Sequence, residues 1–470
     1  MVTPLHPKLP RTIKIGFKPE EPVTSLGGLV LAERLALRLG LWTMLEKGLP
    51  ERNGVFSWTT CIKSAVLGLL GGGRGTYAAE GLRHDDALRK LLSLGDVPEE
   101  ATVWRSLAGL GCLQQAGTLG GVHLQLSRAI VNRMRRRELL LEDLFVPVFN
   151  DGSLLEGSGR REGTKYLREK GAGLLWNTTY VGPLLVAQRL AGPGQGEPSC
   201  VRAMLAEVEE QLLKPLKLKR QALVLMDSLH GDEPTLAQLE RQGLHYVVGA
   251  NKLSASAATL AGQPEQVWES TAADRARGWS DSAVCVCWVQ SEAWPCKRLL
   301  VGRRWMHEGE MIWNYAGVMT DLREGDVRPI MKQRRISFAR AIWRLYDAKA
   351  GMETHYKEPL SDLGLHYPPC QEHLRNVGFY ALGALGALLG RAVDLIGGAD
   401  AQRDSRRRQD GAERQRPKPR SMRLWRLRRE LFTLPARITR HGHELRVTFL
   451  GVGEGTRQLI ERYWGQIARC

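Results

Sequence analysis

LFVPVFNDG, residues 144–152, is the stretch at which the chain changes character. Leu144–Phe149 is a short apolar, partly alternating run, and Asn150-Asp151-Gly152 closes it with turn-forming residues, so it predicts a strand. Downstream, Leu174–Val181 and Leu184–Leu190 read as two more strands parted by Gly182-Pro183. A helix over Val201–Leu213 follows, and then Ala222–Met226, a continuous apolar run that delivers Asp227. Pro234–Gln242 is a short helix stopped by Gly243, and Tyr246–Val248 is a fifth strand. The order β-β-β-α-β-α-β belongs to an α/β fold with a mixed sheet.

Upstream the pattern is helical. Leu26–Leu45, Trp58–Leu70, Asp85–Leu94, Pro98–Leu110 and Val122–Glu138 carry helical spacing, which makes residues 1–138 an all-helical domain. The GGGRGT run at residues 71–76 lacks the GK[ST] ending of a phosphate loop and follows no strand, so it reads as a helix C-cap and turn. Residues 254–335 read as a β-rich insertion, with strands at Ala283–Val289, Arg298–Val301 and Ile312–Val318 and six of the thirteen tryptophans. Residues 139–253 and 336–400 form the core domain around it. The core resumes with a helix of about five turns over Ala341–Pro359 (AIWRLYDAKAGMETHYKEP), followed by an apolar helix around Asn376–Ile396. The last part, 401–470, opens as a basic linker, with twelve Lys/Arg against four Asp/Glu between 401 and 430, including Arg406, Arg407 and Arg408. A helix over Met422–Phe432 and a hairpin turning at His441-Gly442 complete it.

The bulk composition narrows the partner. A chain of 470 residues with 43% hydrophobic residues has ample material for a core. A formal charge of +17 and a pI near 9.7 favour a polyanion, of which nucleic acid is the commonest. Eight scattered cysteines without paired CxxC spacing suit a reducing cytosol and ordinary packing, Cys285, Cys287 and Cys296 included. The N-terminus has no apolar signal core, and the most apolar run, Phe379–Leu389, is far short of the ~20 residues that span a bilayer. A soluble cytoplasmic protein without membrane contact is expected.

Three carboxylates stand out against that frame. Asp151 and Asp227 sit at strand ends, and on a continuous helix Glu353 shares one face with Tyr346, Lys349 and Lys357, within about 80° of arc. Each acid alone is an ordinary turn or surface residue. Together with the strand order they reproduce the RNase-H-like layout, in which the first strand, the fourth strand and a later helix bring acids together. Phosphodiester chemistry uses such a set to hold two Mg²⁺ or Mn²⁺ ions about 3.5–4 Å apart.

The chain resembles a DDE transposase of the bacterial insertion-sequence type with a β-rich insertion between the second Asp and the Glu. The matching passages are Phe149-Asn150-Asp151-Gly152-Ser153, LVLMDSLHGDEPTLAQLERQGLHYVVGANK around Asp227, and Tyr346-x2-Lys349-x3-Glu353 followed by GLHYPPC. The tail RLWRLRRELFTLPARITRHGHELRV also resembles that of the group, so the likeness covers nearly the whole chain. The resemblance implies that Asp151, Asp227 and Glu353 are catalytic metal ligands and that Tyr346 and Lys349 position DNA phosphates. Lys349 stands where the group usually has Arg, and Leu360 where it has Lys, which leaves Lys357 as a substitute one turn earlier. The implied activity is binding of terminal inverted repeats, cleavage at the element's ends and joining of the 3′-OH ends to target DNA. The helical N-terminal domain and the basic segment with Arg406, Arg407 and Arg408 would bind double-stranded DNA, and a homodimer would hold the two ends. Two other readings fit the same residues: a transposase-derived DNA-binding protein without catalysis, and a structure-specific nuclease of the same fold.

Overall fold

The computed structural model describes residues 22–134, 139–157, 161–167, 171–250, 255–271, 277–290, 294–398, 422–441 and 444–470. Arg406, Arg407 and Arg408 lie outside the described residues, as does the tip of the C-terminal hairpin. The first part is helical, as its spacing predicts. A two-residue strand, β1 (Val23–Thr24), precedes α1 (Val30–Leu39), α2 (Leu41–Gly48), α3 (Trp58–Gly71), α4 (Glu80–Arg83), α5 (Asp86–Leu91), α6 (Glu100–Gly111) and α7 (Leu113–Arg133). The glycine run after α3 is a helix end: Gly72 has φ 109°, and its N–H caps Gly68 O and Leu69 O.

The core follows as β2 (Val146–Glu156), β3 (Lys165–Leu167), β4 (Gly171–Val181), β5 (Leu184–Leu190), α8 (Glu197–Val208), β6 (Ala222–Met226), α9 (Glu233–Gln242) and β7 (His245–Gly249). Strand order runs β5-β4-β2-β6-β7, antiparallel at β5/β4 and β4/β2, parallel at β2/β6 and β6/β7. That is the RNase-H-like arrangement. The parallel centre is buried on both faces: every residue of β6 is buried, as are Val146, Val148 and Phe149 of β2. Helix α8 begins at Glu197, four residues before the Val201 that sequence spacing suggests, because Pro198 in its first turn fits a helix start.

The next section contains α10 (Ala255–Ala261), β8 (Glu269–Thr271), β9 (Trp279–Val289), β10 (Arg298–His307) and β11 (Asn314–Thr320). Its strands do not form a sheet apart. β11 pairs antiparallel with β7, so one ten-stranded sheet runs through core and insertion. Arg298, 3% exposed, bonds Glu233 and Glu240 of α9 and ties the insertion to the core.

Helices α11 (Glu324–Arg334) and α12 (Phe338–Asp347) lead into the stretch expected as one five-turn helix, and here the structure differs. α12 ends at Asp347, Ala348–Met352 tightens into a 3₁₀ turn, and α13 (Glu353–Asp362) resumes. Gly351 weakens the α-helix locally, and a 3₁₀ turn advances each residue by more than 100°, so the common face of Tyr346 and Glu353 is lost. Pro359 sits inside α13 instead of ending it. A proline there leaves the carbonyl of His355 without its helical donor. The hydroxyl of Tyr180, on β4, donates to that carbonyl at 3.0 Å and so binds α13 to the sheet.

Helix α14 (His373–Gly397) is the axle of the fold. Its 25 residues extend well beyond the Phe379–Leu389 run and are long and apolar enough to cross a membrane by length and composition, yet 94% of the most apolar window is buried inside the molecule. It packs on α3, α6, α7 and β5. The approach to α6 is at backbone distance: a Cβ on Gly378 would stand 2.4 Å from Leu107 O, and one on Gly111 1.8 Å from Leu374 O. The chain then gives α15 (Leu424–Leu427), β12 (Ala436–His441), β13 (Glu444–Phe449) and α16 (Glu454–Arg469), a helix that the sequence reading did not anticipate. β1, β12 and β13 form a small sheet, so residues 1–138 are not purely helical. Buried charge fastens this part: Arg391 of α14 bonds Glu358 and lies 3.1 Å from Asp394, which accepts from Tyr463 of α16 at 3.1 Å. In the helical region Lys63 meets buried Glu33 at 2.7 Å.

Replacing Tyr180 by Phe removes the donor to His355 and is expected to lower stability by about 1–3 kcal/mol, read from urea midpoints. Pro359→Ala restores a helical N–H to the same carbonyl. The double variant is therefore expected to recover part of the loss; additive losses would show that this contact is not what ties α13 to β4.

Candidate active site

The register of the two central strands builds the site. Val146 to Phe149 pair in parallel with Ala222 to Leu225, residue for residue. Continued by two residues, that register brings Asp151 and Asp227 to the same level, and the charge of Asp227 acts on Asp151. The other face is tied down: Asn150, fully buried, accepts from Thr179 Oγ1 at 2.6 Å. Strand β2 continues to Glu156 against β4, with Asp151 opposite Thr178, so this acid sits inside a paired strand. Asp227 lies just past β6 and caps the short turn Ser228–His230, accepting the Leu229 N–H at 3.0 Å.

Around the pair stand residues from three other elements. Gly249 ends β7, and a Cβ there would be 2.8 Å from the Tyr346 hydroxyl and 2.7 Å from Ser228 N. The missing side chain lets α12 lean Tyr346 onto the Asp227 corner. Burial, with the charges of Asp227 and Asp347 adding to it, pushes the Tyr346 phenol up to about 12. Asp151 is pushed up to about 6 chiefly by burial; Lys349 opposes the shift, while Asp227 and Glu197 reinforce it. Tyr356 of α13 is buried, its ring edge-on to Tyr180 at 5.1 Å, and burial together with the charge of Asp151 raises its phenol well above the ordinary range. Its hydroxyl has no hydrogen-bond partner among the described residues.

Glu197 is a site residue that sequence reasoning missed. It opens α8, and its carboxylate fills the space left by Gly152: a Cβ at Gly152 would lie 2.4 Å from its Cδ. Fully buried His230 joins it to the pair, with Nε2 3.2 Å from Glu197 Oε1 and 3.8 Å from Asp227 Oδ1. The available signal was the Gly-Glu-Pro opening of a helix straight after the third strand.

The sequence-predicted residues are thus placed as follows. Asp151, Asp227, Lys349 and Tyr346 act on one another electrostatically and form one neighbourhood. Glu353 is apart from it: two-thirds exposed, with Lys357 Nζ at 3.5 Å as its partner, and Lys357 is itself three-quarters exposed. The 3₁₀ turn is the physical reason. Among the described residues, no group of three or more His, Cys, Asp or Glu side chains is arranged to hold a metal ion. The donor type at the sheet is that of a hard cation, desolvated Asp151 beside Asp227, whose side chain is 40% exposed, with Glu197 over Gly152. Glu353, as placed, does not complete that set.

No family model matches the chain, and no curated protein matches it. Among solved structures it is similar to the piggyBac transposase synaptic complex with hairpin DNA, at a TM-score of 0.40 and 10% identity. That likeness covers 88% of this chain and 79% of the other.

The raised Asp151 carboxyl has a sign that can be measured. Its stabilising protonated form is fully present below about pH 4 and is lost as pH rises through about 6. Without divalent ions, Asp151→Asn is expected to match the native chain near pH 4 and to exceed its stability above pH 6, by urea midpoints across that range.

Proposed function

We propose that the protein is a DNA transposase of the DDE type, cutting phosphodiester bonds at the ends of its element and joining the 3′-OH ends to target DNA. The parallel register that sets Asp151 opposite Asp227 carries this reading, supported by the sequence resemblance around both acids and around Tyr346-x2-Lys349-x3-Glu353. Asp151 and Asp227 would hold Mg²⁺ or Mn²⁺, and the sequence resemblance implies Glu353 as the third ligand. A divalent ion held by these carboxylates would supply charge to activate the attacking oxygen and steady the leaving one. The chain's own groups do the rest. Lys349 offsets phosphate charge beside Asp151. Tyr346, held protonated at the Asp227 corner, presents a neutral donor to the backbone.

Double-stranded DNA is the proposed partner, with terminal inverted repeats held by the helical N-terminal region and the basic segment containing Arg406, Arg407 and Arg408. Two protomers would hold the two ends. The outward stance of Glu353 favours, as a second reading, a transposase-derived DNA-binding protein that no longer cuts.

Purified protein with DNA carrying the repeats that flank its coding region is expected to nick that DNA only when Mg²⁺ or Mn²⁺ is present. Asp151→Asn and Asp227→Asn are each expected to lose about 10³-fold or more in rate, with end binding kept in a mobility-shift assay. Equal cleavage by native chain and Asp227→Asn would sink the assignment of the acids. Binding of the ends without any cleavage by the native chain would select the second reading.

A further inference from the structure

Beside the acid pair lies a buried polar group without a partner among the described residues. Tyr356 is 6% exposed, and its side chain leaves α13 toward the sheet, not toward solvent. Its ring packs edge-on against Tyr180, whose own hydroxyl is spent on His355 O. The remaining atom, Tyr356 Oη, is buried without a hydrogen-bond partner among the described residues. Tyr180 pairs with Phe149, two residues before Asp151, so the Tyr356 ring packs on the face of the sheet that carries Asp151. A buried hydroxyl left unbonded is destabilising, and each one in a folded chain calls for an explanation.

We propose that Tyr356 is a substrate-contacting residue whose hydroxyl donates to the oxygen ligand lodged between Asp151 and Asp227 during cleavage. This rests on the reading of the acid pair as the cleavage centre. The ligand chemistry is an oxygen acceptor carrying negative charge: a non-bridging oxygen of the scissile phosphodiester, or an oxygen of the ion's water shell. A fixed donor aimed at such an oxygen in a water-poor pocket gains strength as charge develops there. The position of Tyr356 also makes sense of α13. That helix keeps Glu353 in solvent and turns Tyr356, three residues on, into the core. Tyr180 anchors the same helical turn through His355. The donor is therefore held by the sheet that holds the acids.

Tyr356→Phe tests this, because it keeps the ring and removes only the hydroxyl. Without ligand the variant is expected to melt at the native temperature or a few degrees above it, since an unbonded buried group is removed. It is expected to bind end DNA as the native chain does and to cleave it roughly 100-fold more slowly in Mg²⁺. A structural role would give the opposite pairing, lower stability with cleavage changed only in proportion. That outcome, or cleavage at the native rate, overturns the proposal. Mn²⁺ added to the protein without DNA separates the two sources, with both variants followed by thermal melting. A smaller Mn²⁺-induced shift in Tyr356→Phe assigns the contact to the ion's water, and an equal shift with slow cleavage assigns it to the phosphodiester. Asp227→Asn serves as the control on the underlying reading: if it cleaves normally, the centre is elsewhere. If it is inactive while Tyr356→Phe cleaves normally, only the role of Tyr356 fails.

Discussion

Parallel pairing of β2 with β6 is the constraint from which the site follows. Two parallel strands at a sheet centre cannot be joined by a hairpin, so β4, β5 and α8 must intervene before the chain returns. That detour delivers Glu197 at the start of α8, over the Gly152 backbone. The same pairing makes equal residue offsets end at equal depth. Phe149 against Leu225 therefore brings Asp151 to the level of Asp227, two residues further along each chain. Both faces of the pair of strands are then filled, by Asn150 with Thr179 on one side and by residues of α12 and α13 on the other.

The strand ends were legible in the sequence because period-2 and continuous apolar runs are unambiguous when a turn signal follows. Asp227 qualified, whereas Asn150-Asp151-Gly152 read as a strand end although pairing with β4 carries β2 on to Glu156. What could not be read was phase along the later helix. Six residues separate Tyr346 from Glu353, and whether they turn as α or as 3₁₀ depends on packing around a 3₁₀ segment containing Lys349 and Gly351. An error of one 3₁₀ turn moves Glu353 off the face of Tyr346 and brings Tyr356 inward instead. Helix α16 escaped notice for a different reason. Its apolar positions, Ile460, Tyr463 and Ile467, are sparse and set among charges, so it is the surfaces of α14 and α1 and the charge of Asp394 that give them a place.

Burial and charge pull in opposite directions throughout the centre. Burial disfavours the ionised carboxyl of Asp151, and the charges of Asp227 and Glu197 add to that. Lys349 is the cation that the charge of Asp151 feels first. The chain answers the same problem differently elsewhere. Glu33 has Lys63, Glu358 has Arg391, and Arg298 has Glu233 and Glu240, each pair closed within the fold. The contrast separates charges that stabilise the architecture from charges left for something to arrive.

The burial of α14 has a consequence for synthesis. Its apolar sides are covered partly by α3, α6 and α7, made earlier, and partly by α16, made some sixty residues later. Arg38 of α1 even hydrogen-bonds Ala468 O, across a separation of 430 residues. Contacts so distant in sequence close slowly. A ribosome that has emitted α14 but not α16 therefore carries a membrane-grade helix with one side uncovered, a transient exposure that invites aggregation or capture by chaperones. The last closure, of α16 onto α14, is thus the step on which completion of the fold waits.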